Sequence, residues 1–283
     1  MLKIGLVGTG HLGKIHLRNL LELPVDFEVV GFYDTDDPTV QEIQREFQTT
    51  SFSDLEDLMN ASEALLIASP TLSHFPIAVQ ALKKGKHIFI EKPVCFTVEE
   101  SKKLLLYAQE AGVVVQVGHV ERFNPALIAA NPFVQNPLFI ESRRTAPFQK
   151  RGTDVSVVYD LMIHDIDIAL NIANSNVKKI SAFGMNVLSD SIDVASAHLS
   201  FENGCTAYLS ASRVSDQRER KSCFFMQDAH VNVDFLNKTV DRHELMQESV
   251  EDRQLVQTVI PVEDSNAIKM ELLSFASSIR EES

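Results

Sequence analysis

Ile4-Gly5-Leu6-Val7-Gly8-Thr9-Gly10-His11-Leu12-Gly13 stands at the head of the chain and decides how the rest is read. Ile4 to Val7 has the pattern of a buried strand, and Leu12, Ile15, Leu17, Leu20 and Leu21 follow in a helical pattern. Between strand and helix each glycine has a steric role. Gly8 makes the tight turn, Gly10 lets backbone N–H groups approach a pyrophosphate, and Gly13 allows close packing of helix on strand. The anion then lies at a helix N-terminus, beside His11 and Leu12, where unpaired N–H groups and the helix dipole favour negative charge. The bland alternative is an ordinary glycine-rich turn.

The second apolar segment bears on that choice. Glu28 to Tyr33 reads as a strand ending in Asp34, about twenty residues beyond the last glycine. A carboxylate there accepts hydrogen bonds from the adenosine ribose and repels a 2′-phosphate. Asp36 and Asp37 add to the repulsion, and the nearest following cation is Arg45. The predicted cofactor is therefore NAD rather than NADP. The competing reading of Asp34, taken alone, is a turn or N-cap acid at a strand end.

A length of 283 residues favours two domains, and 45% hydrophobic residues supply their cores. No apolar stretch is long enough to span a bilayer, and the first strand starts too early to leave room for a signal peptide. Cys95, Cys205 and Cys223 are odd in number, scattered and outside metal-ligand spacing. A cytoplasmic protein without disulfides is expected. The net charge of −13 argues against nucleic acid or an anionic membrane as partner, though not against a small anion held in a cleft.

Strand patterns at 2–7, 28–33, 64–68, 87–90 and 113–117 alternate with helical ones at 11–22, 38–47, 53–59, 73–84 and 97–111. This predicts an α/β domain over 1–118, a doubly wound (Rossmann) parallel sheet. From 119 the texture changes. Asn124-Pro125 reads as N-cap and N1 of a short helix, Leu138 to Arg143 as extended, and 157–172 as a second helix. Alternating segments follow at 179–187, 193–201, 204–211, 221–226, 229–235 and 255–261, with a tight turn at Asn203-Gly204 and a closing helix from Asn266. The expected second domain, 119–283, is α+β with an open, mostly antiparallel sheet.

Three segments carry chemistry beyond the glycine turn. Glu91-Lys92-Pro93 lies at the carboxyl end of a predicted strand, where open parallel sheets bind ligands. Lys92 there could stabilise a substrate alkoxide, and a cis bond at Pro93 would aim it; otherwise it is a solvated strand-end lysine. Next, Asp160, His164 and Asp167 fall on one stripe of an otherwise apolar helix, with Asp165 near the edge of the other face. That suits a general base with orienting groups. A metal site and a satisfied core histidine are the competing readings, and no metal is the expectation. Last, His119, Arg122 and Asn124 follow the final parallel strand. They face substrate, or else Asn124 caps a helix and Arg122 makes an ion pair. In the segment Ser69 to His74, either Thr71 or Ser73 caps the next helix, or the segment, with Ser69, Thr71 and His74, lines the cofactor groove. Arg143, Arg144 and Arg151 form a basic stretch that binds a diphosphate or is simply solvated.

Together the Gly8–Gly13 turn, Pro70-Thr71…His74, Glu91-Lys92-Pro93 and Asp160-x-x-x-His164-x-x-Asp167 resemble the glucose–fructose oxidoreductase / inositol dehydrogenase (Gfo/Idh/MocA) family over almost the whole chain. The runs from Gly118 to Pro125 and from Asp154 to Asp167 look closest to dehydrogenases of nucleotide-activated amino sugars, of the UDP-N-acetylglucosamine 3-dehydrogenase type. The resemblance implies that Lys92, Asp160 and His164 are catalytic. It also implies that Gly8, Gly10, His11, Leu12, Gly13, Asp34, Ser69, Thr71, His74, Glu91 and Lys92 hold NAD, and that homo-oligomers form through the second sheet. His119, Arg122, Asn124, Arg151 and Asp167 are substrate-side candidates. One departure is that family members commonly continue past residue 280 with a segment returning to the N-terminal domain. The expected reaction is hydride transfer between a sugar or cyclitol secondary alcohol and nicotinamide. The alternatives are a non-catalytic cofactor-binding regulator, an NAD-dependent reductase of a non-sugar substrate, and transfer between two sugars without cofactor release.

Overall fold

The computed structural model describes residues 1–149, 155–249 and 252–282. Two compact units emerge, one of Met1–Val120 with the segment from Ile268, the other of Glu121–Ala267.

The first unit runs β1 (Leu2–Val7), α1 (His11–Leu21), β2 (Phe27–Tyr33), α2 (Asp37–Phe47), α3 (Leu55–Ala61), β3 (Ala64–Ile67), α4 (Thr71–Lys83), β4 (His87–Glu91), α5 (Val98–Ala111) and β5 (Val115–Gly118). Its strands lie in the order β2-β1-β3-β4-β5, all parallel. Central strands buried on both faces lose strict alternation, which is why β3 is the apolar run Ala64-Leu65-Leu66-Ile67. Helix ends follow local chemistry. Asp36 and Asp54 cap α2 and α3, Thr97 and Glu100 form a capping box on α5, and Gly112 ends α5 at φ +60. The strand order reverses at β1, so the carboxyl ends of β1 and β3 flank the crevice where such sheets bind ligands.

The second unit contains α6 (Pro125–Ala130), β6 (Phe139–Thr145), a π-helical turn Val158–Met162, α7 (Ile163–Ala173) and seven further strands. These are β7 (Val177–Met185), β8 (Val194–Phe201), β9 (Thr206–Ser212), β10 (Glu219–Phe225), β11 (Ala229–Asp234), β12 (Thr239–Ser249) and β13 (Asp252–Ile260). The sheet order is β13-β12-β11-β10-β6-β9-β8-β7, antiparallel throughout except for β6 beside β9. Asn203-Gly204 makes the β8–β9 turn, with Gly204 at φ +92. One sheet face, with Ile140, Leu209 and Phe224, packs on Met162, Ile168 and Ala169 from the helical side.

Three expectations change. The helix expected over 157–172 begins as a π turn, which resets the phase of its stripe. Strand β12 was not expected, because Asp241-Arg242-His243-Glu244 interrupts any apolar alternation; backbone pairing to β11 and β13 supplies what pattern does not. The closing helix, α8 (Ala267–Glu282), was placed in the second domain but belongs to the first unit. Its Leu272, Phe275, Ala276 and Ile279 recur at helical spacing and are buried with Ile4, Leu6, Leu17 and Phe89. Lys269 pairs with Glu22 and Arg280 with Asp26, fixing both ends of the helix. Thus α8 is itself a segment returning to the N-terminal unit.

Candidate active site

The glycine turn can be tested atom by atom. A Cβ on Gly13 would lie 2.0 Å from the Gly8 carbonyl oxygen, and one on Gly8, at φ +86, would lie 2.5 Å from the Ser69 backbone. These two positions exclude side chains for packing reasons. Gly10 differs, since a Cβ there meets nothing within 4 Å. No side chain caps the N-terminus of α1, and Gly10, His11 and Leu12 are exposed. Open space, first-turn N–H groups and the positive helix end together fit a pyrophosphate.

Asp34, at the end of β2, is oriented from both sides. Its Oδ2 accepts from the Thr9 N–H (2.6 Å) and hydroxyl (2.8 Å), and its Oδ1 from the Asp36 N–H (3.1 Å). Its charge stands beside the turn, as ribose recognition requires. Thr9, fully buried, is a positioning residue that sequence reading missed. Asp36 is turned to its own helix, where it accepts from the Thr39 N–H and hydroxyl. Those bonds hold its carboxyl below the usual range.

Two more strand ends complete this side. Helix α4 starts at Thr71 with Pro70 at its cap position and no side-chain cap, so neither Thr71 nor Ser73 caps it. Ser73 donates to the Pro70 carbonyl and the Ser69 hydroxyl. Buried His74 sets one ring nitrogen 2.8 Å from the Ser69 carbonyl oxygen and the other 3.0 Å from that of Pro93. It ties the ends of β3 and β4 together. The Lys92–Pro93 peptide is cis. Glu91 is buried, with Oε1 2.6 Å from His16 Nε2 and Oε2 accepting from the Lys92 N–H at 3.1 Å. Half-buried Lys92 therefore rises from an anchored base. His16 was also missed, although an imidazole among the leucines of α1 was the available signal.

In the second unit Asp160 lies in the π turn and His164 in the first turn of α7, both half-buried. Their neighbours are committed to ion pairs. Asp167 takes two hydrogen bonds from Arg122, at 2.7 and 2.6 Å, and Asn124 caps α6. The ion-pair and cap readings of Arg122 and Asn124 are what the geometry presents. Asp165, expected toward the edge of the apolar face, is buried and bound by both Arg144 Nε and Nη2 at 3.0 Å. Arg144 also donates to Glu121 at 2.7 Å. Burial works against the Arg144 charge, but Asp165 and Glu121 raise its pKa above the usual arginine range. Arg143, one residue away on β6, points to the opposite face and pairs with Glu219. Arg143 and Arg144 therefore cannot grip one ligand together. His119 is half-buried just beyond β5, and Arg151 lies outside the described residues. Among the described residues no group of three or more His, Cys, Asp and Glu is placed to hold a metal ion.

Comparison with known proteins agrees with this architecture. Residues 2–119 match the family model described as "Oxidoreductase family, NAD-binding Rossmann fold", and 132–231 match "GFO/IDH/MocA C-terminal domain". The UDP-N-acetylglucosamine 3-dehydrogenase of Acidithiobacillus ferrooxidans is 33% identical over 84% of this chain and 76% of its own. A solved structure of that enzyme superposes with a TM-score of 0.92 at 30% identity, covering 100% of this chain and 90% of the other. The scyllo-inositol 2-dehydrogenase (NAD(+)) of Bacillus subtilis is 28% identical over 75% of this chain and 68% of its own. A levoglucosan dehydrogenase solved with NADH, at 19% identity and a TM-score of 0.87, shares the fold. With the open Gly10 cradle and the anchored Asp34 on one unit and the mixed sheet on the other, the chain belongs to the GFO/IDH/MocA oxidoreductase family and carries its NAD-binding Rossmann domain.

Proposed function

We propose that the chain catalyses reversible oxidation of a secondary alcohol on a sugar or cyclitol, with a nucleotide-activated amino sugar as the favoured substrate. The observation that carries the reading is Lys92. It stands at the carboxyl end of β4, on a base fixed by Glu91 and His16, in the unit that holds the Gly10 cradle. Its ammonium polarises the substrate oxygen and favours the alkoxide. His164 takes the hydroxyl proton as general base, and Asp160 orients the imidazole and balances its charge. Bound NAD supplies the hydride acceptor. Gly8, Gly10, Gly13 and the first turn of α1 hold its pyrophosphate, and Asp34 its ribose. Support for the amino-sugar preference comes from the similarity to the UDP-N-acetylglucosamine 3-dehydrogenase.

Two further readings belong here. No helix among the described residues is long and apolar enough to cross a membrane, and we place the protein in the cytoplasm. The outward face of the second sheet, where Phe183 and Tyr208 are exposed, is the proposed surface for self-association. A substrate screen with NAD, reading reduced-cofactor absorbance for UDP-sugars against free polyols, tests the reaction. Oxidation of a UDP-amino sugar supports it. Failure to reduce NAD with any sugar or cyclitol overturns it.

A further inference from the structure

Behind Asp160 lies a pocket of about 160 Å³ lined by Arg144, Arg213, Arg218, Arg220 and Gln149. Among the described residues its only acidic lining group is Asp160. The arginines fall into two classes. Arg144 is spent on Asp165 and Glu121. Arg213 is spent on Asp193, the Ser191 hydroxyl and the carbonyls of Val155 and Ile192. The other two are not neutralised in this way. Arg220 reaches Glu121 Oε1 only at 3.4 Å, the same oxygen that Arg144 holds at 2.7 Å. Exposed Arg218 makes no hydrogen bond or ion pair among the described residues.

The placement is also costly to the fold. Arg220 on β10 stands directly opposite Arg144 on β6, and like charges opposite one another across strands destabilise a sheet. Burial and the Arg144 charge both push the Arg220 guanidinium below the usual arginine range. Arg218, in the loop just before β10, lines the same pocket as Arg220 and adds positive charge there. Such crowding is relieved by an anion. The volume suits a phosphate group rather than an entire sugar nucleotide.

We propose that Arg218 and Arg220 form an anion subsite beside Asp160 that grips the phosphate of a phosphate-bearing sugar. The assignment to substrate rests on the reading of Asp160 given above, whereas the anion affinity of the pocket does not. A sugar nucleotide and a simple sugar phosphate present the same charged oxygens, so the assay includes both, with a neutral cyclitol as control.

The test uses Arg218→Ala, at an exposed position, and Arg220→Gln. With NADH saturating, calorimetry measures inorganic pyrophosphate binding; in parallel, KM is measured for a UDP-sugar, a sugar phosphate and the cyclitol. Each substitution should raise KM for phosphate-bearing substrates and weaken pyrophosphate binding by at least about tenfold, the loss of one charge-assisted contact. NAD affinity and the cyclitol KM stay unchanged. Whichever phosphate-bearing substrate loses more identifies the source of the phosphate. Unchanged pyrophosphate binding in both variants, or an equal loss for the cyclitol, overturns the subsite. Pyrophosphate binding lost in the variants of a protein that oxidises no alcohol keeps the subsite and removes the dehydrogenase reading instead.

Discussion

The first unit shapes its proposed ligand cradle from backbone, whereas the second fixes the surroundings of Asp160 and His164 with paired charges. In the first, Gly8, Gly10 and Gly13 shape a cradle of N–H groups, and few side chains do more than steady it. In the second, Arg144, Arg122 and Arg213 are each matched to carboxylates brought from other elements. A backbone site tolerates almost any neighbouring sequence but no extra atom at the wrong glycine. A charge-built site tolerates extra atoms but no missing partner.

The sharpest way to separate the two units is to remove the proposed chemistry from each. His164→Ala and Lys92→Ala should lower turnover by about 10²–10⁴-fold, the worth of general acid–base assistance. NAD affinity, measured by titration, should not move in His164→Ala, and NAD binding should survive in Lys92→Ala. Unchanged turnover in both variants would remove the catalytic assignment while leaving the fold intact.

Next in size is Arg144→Met. It strands two buried carboxylates, Glu121 and Asp165, and should cost about 3–5 kcal/mol in denaturant unfolding. A stability equal to the parent protein would mean that the second unit does not depend on paired charge.

Smaller, but more diagnostic, is the contrast between two glycines. Gly13→Ala drives a methyl into the Gly8 carbonyl and should destabilise by about 1–3 kcal/mol, the usual cost of overpacking. Gly10→Ala meets open space and leaves thermal stability unchanged, yet weakens NAD binding. Equal stability losses in the two variants would break the cradle interpretation.

The smallest effect concerns acid. Burial pushes Asp193 up, but the Ser189 hydroxyl and the N–H groups of Val187, Leu188 and Ser189 outweigh it and hold the carboxyl well below its usual 3.8. A depressed native pKa stabilises above the unfolded value and loses that stabilisation as pH falls through the native one. Melting temperature should therefore fall below about pH 4, and Asp193→Asn should flatten that decline. A parallel decline in both proteins would contradict the assignment.

How far the sequence was readable follows the same division. Gly8-x-Gly10-x-x-Gly13 and Asp34 declared themselves because a glycine has a steric meaning at fixed spacing. The parallel strands read clearly as short apolar runs. The partners of Arg144 did not, since Glu121 and Asp165 come from separate elements and no spacing encodes their meeting. Periodicity at 100° per residue set Asp165 toward the apolar face of α7, but it could not name Arg144 as the partner that lets a carboxylate lie buried there. Arg218 and Arg220 passed unnoticed because two cations in a polar loop and at a strand start look solvated until the sheet sets Arg220 opposite Arg144 and both line one pocket.

Helix α8 carries a consequence for biosynthesis. During synthesis from the N-terminus, residues 1–120 leave the ribosome long before Leu272, Phe275 and Ile279 exist to close their core. The second unit, whose last strand ends at Ile260, has every strand in hand earlier. The portion made first is therefore the portion finished last, and a nascent chain halted near residue 266 should present a protease with an incomplete nucleotide-binding half and a folded successor.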